Sequence, residues 1–368
     1  MIYRDIELQE IKELYKKGTQ VICFWGGEAF GFLLGYLDRE NILITAVVDN
    51  NINKQGKFIH WNGKDLCKII SVSELLEFDM GNVILIITVQ GLEEIIQLLL
   101  GFKQLETVPV AYYGYILDNV MKSNIIQTTD VDLEIPQECI RIPRTIHYCW
   151  FGGKELPDQY KKWMESWKKY CPGYEIIRWD ESNYDVHKIP YIDEAYKSGK
   201  YSFVSDYARL DILYNHGGIY LDTDVEMLRP LDNLLCQKAF MGTEFPSNMV
   251  ATGLGMGAVP KHYGIKLLMD DYLNHRFIRD DGTLNLTTCP VIQSNLLQKY
   301  GLKLNGKRQK VCDIEIYPNM VFSPYLPYRK QIVYNGVSYL CHHYSASWVD
   351  DKAKSKAKRI SELYKLFK

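Results

Sequence analysis

Residues 217–224 read GGIYLDTD, and this stretch decides how the second half of the chain is interpreted. An apolar run follows two glycines and ends in two carboxylates, Asp222 and Asp224, one residue apart. Aromatic and β-branched residues favour strands, and successive side chains of a strand point to opposite faces. The pattern therefore predicts a strand on which Asp222 and Asp224 share one face.

Two carboxylates this close repel each other, and a bound divalent cation would offset the repulsion. Mg²⁺ and Mn²⁺ prefer oxygen ligands and keep coordination positions open for phosphate oxygens. Strand ends in α/β domains are also where ligands bind. The alternative is a pair of solvated acids at a strand end, and the motif alone leaves both interpretations open.

The preceding residues, SFVSDYARLDILYNHGG at 202–218, predict a long helix that ends at the glycines. Asp206 and Arg209 are three residues apart and share one helical face. The short connection to the strand places that face near the same cleft. Arg209 could bind a phosphate or hold Asp206, and Asp206 could accept hydrogen bonds from hydroxyl groups. A surface ion pair is the simpler alternative.

The first 125 residues alternate strand and helix patterns, which predicts a small Rossmann-like parallel α/β domain. The strand patterns are VICFW, ITAVVD, VILIIT and VPVAYY. The turn WGGEAFG departs from the dinucleotide fingerprint, because Gly26, Gly27 and Gly31 do not give G-x-G-x-x-G. A docking or structural role therefore competes with nucleotide binding. Residues 126–140 predict a linker, and residues 141–368 a second α/β domain.

Composition places the chain among globular proteins. It has 368 residues, of which 47% are hydrophobic and 24% are charged. The formal net charge is -2, so the overall electrostatic field of the protein does not attract nucleic acid. The 9 Cys follow no metal or disulfide pattern, which favours reduced thiols in a cytosolic protein. The opening residues do not resemble a signal peptide, and no apolar run reaches the roughly 18 residues of a membrane span. We therefore expect a cytoplasmic protein.

The tail at residues 351–368, DKAKSKAKRISELYKLFK, predicts a basic amphipathic helix. Ile360, Leu363, Tyr364 and Phe367 fall at helical spacing, opposite the lysines. Such a helix either lies on an anionic membrane, here the inner face of the plasma membrane, or packs on its own domain.

Three motifs in order resemble family 32 of the glycosyltransferases, the DXD sugar-binding group. They are IPRTIHYCWFGG at 142–153, S-D-x-x-R followed by GG-x-Y-L-D-x-D, and YLCHHYSASW at 339–348. Arg144 stands where lysine is common in that family. The stretch TLNLTTCPVIQSN at 283–295 resembles a T-x-x-T-G-P segment of relatives, but Cys289 stands where glycine is usual.

The resemblance implies a GT-A type nucleotide-sugar-binding domain after the Rossmann-like one. It implies a retaining glycosyltransferase that uses Mn²⁺ or Mg²⁺ and a nucleotide-sugar donor, with UDP-sugars favoured over GDP-sugars. The acceptor it implies is an oligosaccharide or lipid-linked saccharide in capsule or other surface polysaccharide synthesis.

The resemblance also assigns residues to the donor. Trp150 would stack on the nucleotide base, although a core tryptophan is the alternative. Asp206 and Arg209 would hold the donor sugar. Ser347 and Trp348 would contact the diphosphate from a closing loop that excludes water.

The metal ligands follow in the same way. Asp222 would contact the ribose or, through water, the metal, and Asp224 would ligate the metal directly. His343 is the candidate third ligand, since neutral imidazole binds Mn²⁺. If the segment is a strand, His342 points the other way, so only one of the two histidines reaches the site.

Two other functions remain open on sequence alone. One is an NAD-linked sugar oxidoreductase built on the first domain, which would bind nicotinamide cofactor. The other is a non-catalytic scaffold for polysaccharide assembly, which would turn over no nucleotide sugar. The combination of Trp150, Asp206, Arg209, Asp222 and Asp224 favours the transferase.

Overall fold

The computed structural model describes residues 2–4, 6–25, 27–61, 63–88, 92–127 and 140–345. The chain divides into two compact units, one of Met1–Ser123 with Tyr328–Lys330 and one of Asn124–Pro327 that resumes at Gln331. The predicted tail helix and most of the predicted linker lie outside the described residues. Within the described part of the chain, no helix combines the length and apolar character that a membrane span requires.

The first unit is built on a seven-stranded sheet in the order β1-β7-β6-β2-β3-β5-β4, with all neighbours parallel except β5 and β4. Its strands are β1 (Ile2–Arg4), β2 (Gln20–Phe24), β3 (Ile44–Val48), β4 (Phe58–Trp61), β5 (Lys64–Ile70), β6 (Val83–Ile87) and β7 (Pro109–Tyr112). The helices are α1 (Leu8–Lys16), α2 (Gly27–Arg39), α3 (Val72–Leu75), α4 (Leu92–Leu100) and α5 (Tyr113–Gln127). The predicted parallel α/β class is confirmed for this unit.

Local signals account for most of these elements. The strand β6 is buried along its whole length, as its unbroken apolar sequence predicts for a central parallel strand. The spacing of Ser71 and Glu74 predicts a capping box. At the start of α3, the Ser71 side chain accepts from the Glu74 N–H while the Glu74 carboxylate accepts from the Ser71 N–H, which confirms it.

The sequence analysis did not identify four elements of the first unit, which are β1, β4, β5 and α5. The antiparallel pair β4–β5 turns at Gly63, which has a φ of 78°. The helix α5 extends into the predicted linker at residue 126. Several of its buried apolar residues, each at most 2% exposed, fall at helical spacing, among them Ile116, Leu117, Met121 and Ile125. The domain boundaries themselves stay a prediction.

The second unit is built on a mixed seven-stranded sheet in the order β14-β15-β12-β13-β10-β8-β9. Its strands are β8 (Thr145–Cys149), β9 (Glu175–Trp179), β10 (Gly218–Tyr220), β12 (Ala239–Gly242), β13 (Met256–Ala258), β14 (Gln309–Val311) and β15 (Ile314–Tyr317). The remaining strands form two small pairs, β11 (Val225–Met227) with β18 (Leu340–His342), and β16 (Tyr325–Leu326) with β17 (Gln331–Ile332). The helices are α6 (Asp158–Tyr170), α7 (Pro190–Lys197), α8 (Tyr201–His216), α9 (Tyr263–Asp271), α10 (Cys289–Gln298) and α11 (Asn319–Phe322).

A hydrophobic core covers both faces of this sheet. Tyr220 packs with side chains of α7, α8, α9 and α10, whereas its neighbours Ile219 and Leu221 pack with Trp167 of α6 on the opposite face. This alternation is the expected geometry of a strand that is buried on both sides. The predicted α/β class is therefore confirmed for the second unit as well.

The strand predicted to carry both aspartates is shorter than expected, which is a correction. β10 ends at Tyr220, and Asp222 and Asp224 lie in the following turn. The Asp222 N–H donates to the Gly253 carbonyl at 3.3 Å, and the Val225 N–H donates back to the Asp222 carbonyl at 3.1 Å, which closes the turn. The apolar residues of MVFSP at 320–324 also predict a short strand, and this prediction is wrong, because residues Asn319–Phe322 form the short helix α11.

Candidate functional site

Two neighbouring parallel strands end at one edge of the second sheet and open a cleft there. β8 and β10 run side by side, with Ile146 opposite Ile219. Trp150 follows β8 and Asp222 follows β10, so both side chains reach the same edge. They line a cavity of about 580 Å³ together with residues of α8 and of the segment after β18.

A buried histidine and a glycine set the close approach of these strands. Gly218 has a φ of 98°, and a Cβ there would lie 2.7 Å from the Thr145 carbonyl oxygen. His147 Nε2 donates to the Gly217 carbonyl at 2.9 Å, while Trp179 Nε1 donates to His147 Nδ1 at 3.1 Å. Burial lowers the pKa of His147 to about 4, so the ring is neutral and structural.

Arg209 is the hub beneath the cleft and is 3% exposed. Its Nη2 lies 3.1 Å from Asp206 Oδ1 and 3.3 Å from Asp222 Oδ1, and its Nη1 donates to Thr252 Oγ1 at 3.3 Å. The Nε donates to the Ser205 carbonyl at 3.1 Å. A guanidinium with its donors engaged in this way holds two carboxylates in place. The structure thus joins the predicted helix pair to the predicted aspartate pair.

The backbone of Gly253 lies directly against the Asp222 carboxylate. A Cβ on this glycine would overlap the Asp222 Oδ2 and would lie 3.2 Å from Arg209 Nη1. The residue is buried in a short 3₁₀-helix, Thr252–Leu254. Only glycine leaves room for the carboxylate at this point, which the sequence analysis did not identify.

Asp222, Asp224 and His342 bring their ligand atoms within 4.8 Å of one another. His342 Nε2 lies 3.2 Å from Asp224 Oδ1 and 3.9 Å from Asp222 Oδ2. Burial acts to raise the pKa of Asp224, but His342 and the Ser345 hydrogen bonds outweigh it and hold the pKa well below its usual range. Two carboxylates and an imidazole are a donor set that Mn²⁺ or Mg²⁺ accepts.

The proton of His342 has a defined position. His342 Nε2 faces Asp224 Oδ1 at 3.2 Å, so the Nε2 hydrogen points at that carboxylate. Burial lowers the pKa of His342, but Asp224 and Asp222 outweigh it and raise the pKa to about 10. This proton offsets the repulsion of the aspartates, and a cation bound to Nε2 would take its place.

The expectation that His343 is the third ligand is wrong. Its Nε2 lies 3.0 Å from Glu226 Oε2, and its ring stacks on Trp163 at 4.2 Å between centroids. Adjacent side chains of a strand end diverge, as predicted, but it is His342 that faces the aspartates. The reason is the register of β18 on β11, which pairs His342 with Val225, the residue after Asp224.

Ser345 fixes the second oxygen of Asp224. Its Oγ and N–H both donate to Asp224 Oδ2, at 2.7 and 2.9 Å, and the Oγ lies 2.7 Å from the Tyr160 hydroxyl. Because Ser345 Oγ gives its proton to the carboxylate, the Tyr160 hydroxyl is the donor to Ser345. Ser347 and Trp348, which follow Ser345 after one intervening residue, lie outside the described residues.

Trp150 lines the cleft next to Tyr160. Its indole Nε1 donates to the Lys154 carbonyl at 2.6 Å, and its ring meets Tyr160 edge-on at 5.8 Å between centroids. The side chain is partly exposed and lines the cavity, so it is not a core tryptophan. This position fits the predicted stacking on a planar ligand group.

Two further carboxyl groups line the cleft. Asp206 is 7% exposed, and burial raises its pKa to about 6 against the opposing charge of Arg209. The thiol of Cys289 lies 3.7 Å from Arg209 Nη1, and its pKa is raised by burial and by Asp206, so it is no nucleophile. Burial also raises the pKa of Glu244, which the sequence analysis did not single out.

The cleft residues that the sequence analysis missed carry weak local signals. They are Glu244, Thr252, Gly253, His342, Tyr344 and Ser345. The glycine-rich run TGLG at 252–255 was the clearest available hint, since repeated glycines mark close backbone approaches. The other four, Glu244, His342, Tyr344 and Ser345, lie at the cleft only because distant segments fold together.

Residues 157–241 match the family model described as "Glycosyltransferase sugar-binding region containing DXD motif". The matched segment contains Asp206, Arg209, Asp222 and Asp224, the four residues that meet at the floor of the cleft. This part of the chain is therefore similar to the DXD sugar-binding region of glycosyltransferases. The family match does not cover the predicted glycine turn at residues 25–31, and Gly26 lies outside the described residues.

Relatives with assigned names extend the likeness. Inositol phosphoceramide mannosyltransferase 1 of Schizosaccharomyces pombe is 26% identical over 214 residues, which is 51% of this chain and 65% of the relative. Mannosyl phosphorylinositol ceramide synthase SUR1 of Saccharomyces cerevisiae is 30% identical over 176 residues, or 45% and 44% of the two chains. The chain thus spans less than two thirds of each. Among solved structures, the PaToxG glycosyltransferase aligns with a TM-score of 0.34 at 16% identity, covering 50% of this chain and 78% of that one.

Proposed function

We propose that the second unit transfers a sugar from a nucleoside-diphosphate donor to a hydroxyl group of an acceptor, with retention of anomeric configuration and with a divalent cation. The observation that carries this proposal is the cluster of Asp222, Asp224 and His342 at a strand end, braced by Arg209 inside a cleft. The relatives' names support mannose as the donor sugar. UDP-sugars are expected ahead of GDP-sugars from the family resemblance.

Different residues of the cleft would contact different parts of the donor. Trp150 would stack on the base, since its ring is partly exposed and fixed by the Lys154 carbonyl. Asp206 would accept hydrogen bonds from hydroxyls of the donor sugar. Arg209 would not contact phosphate, because its donors are engaged; it positions Asp206 and Asp222 instead.

Asp222, Asp224 and His342 would hold the cation. When bound, Mn²⁺ or Mg²⁺ neutralises the charge that grows on the departing diphosphate. The bond between the anomeric carbon and the diphosphate oxygen breaks, and a bond from that carbon to the acceptor oxygen forms on the same face. The acceptor's proton passes to the leaving phosphate oxygen. Ser345 keeps Asp224 in place by two hydrogen bonds to one carboxylate oxygen.

The acceptor class and the cellular place are parts of the same proposal. The family resemblance favours a surface polysaccharide built in the cytoplasm, and the relatives' names support an acceptor that carries an inositol phosphate. Both acceptors present hydroxyl groups on a six-membered ring.

A hydrolysis screen tests the function. The full chain is incubated with UDP- and GDP-sugars with and without Mn²⁺, and release of nucleoside diphosphate is measured. We expect turnover of at least one donor that depends on the cation, and a loss of about 100-fold or more in Asp224→Asn. Turnover that is equal in Asp224→Asn and the unchanged protein would refute the metal site. A protein that turns over nothing would support the scaffold alternative.

A further inference from the structure

The carboxylates of the cleft differ in their partners. Asp206 and Asp222 contact Arg209, and Asp224 contacts His342. Glu244 is the exception: in the described residues its carboxylate has one hydrogen bond, from Ser247 Oγ at 3.0 Å, and no ion pair. A partly buried acid that lines a cleft without a cationic partner is suited to bind hydroxyl donors of a ligand.

The fold fixes Glu244 in this position. Thr243 extends β12 by pairing with Val250, and its N–H donates to the Tyr317 carbonyl at 3.0 Å. The Glu244 N–H donates to the Met249 carbonyl and the Glu244 carbonyl accepts from the Asn248 N–H, each at 2.9 Å. The backbone is therefore closed into a tight loop, and the side chain lines the cleft.

Glu244 is held separately from Asp206. Asp206 lies 3.1 Å from Arg209 Nη2, whereas the Glu244 carboxylate, among the described residues, bonds Ser247 Oγ and none of the groups that Arg209 holds. Asp206 and Glu244 thus line the cleft as separate groups. A donor sugar held by Asp206 leaves Glu244 for a second ligand.

An aromatic ring accompanies the acid. Tyr344 lines the same cleft, where the charge of Glu244 helps burial to raise the pKa of the Tyr344 hydroxyl. Its ring meets the His342 ring edge-on at 4.4 Å between centroids. Its φ of 47° is uncommon for a residue other than glycine. Ala251 and Leu254 add apolar lining. An aromatic face, an apolar wall and one carboxylate together recognise a polyhydroxylated ring.

We propose that Glu244 and Tyr344 form the acceptor subsite, which takes a six-membered ring with adjacent hydroxyl groups, either a sugar or a cyclitol. Glu244 accepts a hydrogen bond from a hydroxyl next to the one that reacts, and Tyr344 packs on the ring. The subsite rests on the proposed function, because it presumes that the donor occupies the side of Asp206.

The subsite is tested by comparing the rate of donor hydrolysis with the rate of transfer to an acceptor, in the full chain at saturating Mn²⁺. Donor hydrolysis is measured alone, and transfer is measured to methyl α-D-mannopyranoside and to myo-inositol. In Glu244→Gln we expect hydrolysis within about twofold of the unchanged protein and a transfer kcat/KM lowered about tenfold, through KM. Glu315→Gln, on β15 outside the cleft, is the matched control and leaves both rates unchanged. Equal losses of hydrolysis and transfer in Glu244→Gln would place Glu244 on the donor and overturn the subsite.

A binding measurement keeps the inference testable if no donor is turned over. Saturation-transfer NMR with the same two probes should give signals for the unchanged protein and for Glu315→Gln, and weaker signals for Glu244→Gln and Tyr344→Ala. Circular dichroism checks that each variant is folded. Signals that are the same in Glu244→Gln as in the unchanged protein, or absent from the unchanged protein, refute the subsite. The hydrolysis screen judges the proposed function separately.

Discussion

His342 Nε2 lies 3.2 Å from Asp224 Oδ1, although Asp224 and His342 are 118 positions apart in the sequence. This contact joins the turn after β10 to the last described strand. It also fixes where a cation would bind, because the proton on Nε2 occupies the position that a metal would take. The predictions below follow from this contact and from the residues that brace it.

The two histidines should behave differently on substitution. His342→Ala removes a metal donor, so Mn²⁺ affinity, measured by calorimetry, should fall about tenfold or more. His343→Ala should leave Mn²⁺ affinity unchanged and should cost about 1 kcal/mol of unfolding free energy, because it loses the Trp163 stack and the Glu226 bond. If His343→Ala lowered the Mn²⁺ affinity and His342→Ala did not, our placement of β18 on β11 would be wrong.

Proton release should accompany metal binding. The pKa of His342 is raised to about 10, so its Nε2 is protonated at neutral pH and must lose that proton to a cation. Mn²⁺ affinity should therefore increase from pH 6 to pH 8, by up to about tenfold per pH unit. Calorimetry in buffers of different ionisation heat measures the proton count. An affinity that is flat over this range would show that His342 does not ligate the ion.

Gly253→Ala should abolish activity without unfolding the protein. The new methyl group would overlap Asp222 Oδ2 and move the carboxylate, and displacements of about 1 Å cost about 100-fold in rate. Gly173→Ala is the matched control, since a Cβ there meets no atom within 4 Å and the residue lies in an exposed turn after α6. Donor hydrolysis and thermal unfolding are compared for both. Full activity in Gly253→Ala would show that Asp222 tolerates displacement.

The ionisation of Asp206 should determine how kcat/KM for donor hydrolysis falls on the acidic side of its pH profile. Its pKa is raised to about 6, so the carboxyl is neutral below that pH and ionised above it. Since the ionised form accepts hydrogen bonds more strongly, kcat/KM for donor hydrolysis at saturating Mn²⁺ should rise with pH through a midpoint near 6. Asp206→Asn should be slow and should lack this limb. A limb that persists in Asp206→Asn belongs to another group.

Ser345 and Tyr160 should act on the metal through Asp224. Ser345→Ala removes the Oγ bond to Asp224 Oδ2, and we expect a loss of Mn²⁺ affinity of about fivefold, in line with about 1 kcal/mol per hydrogen bond. Tyr160→Phe should have a smaller effect in the same direction. The double variant should lose little more than Ser345→Ala, because the two groups form one chain. Fully additive losses would argue against such a chain.

Local patterns were sufficient for many of the elements and for part of the site. The helix with Asp206 and Arg209, the strand before the glycine turn at Trp150, and the aspartate pair each follow from residues that are close in sequence. The strand through Asp224 was overextended, since alternation of apolar residues does not show where hydrogen bonding stops. Leu221 N–H still bonds the His147 carbonyl, but Asp222 N–H bonds Gly253 instead.

The sequence by itself determined the α/β class, the DXD pair, and the helix face that carries Asp206 and Arg209, because these depend on the periods of strands and helices. Only the tertiary structure decided that His342 faces Asp224, that Gly253 makes room for Asp222, and that Glu244 enters the cleft. Each of these depends on strand register or on close packing between segments that are far apart in the chain. Periodicity shows that neighbouring side chains diverge, but the partner strand decides which of them meets the site.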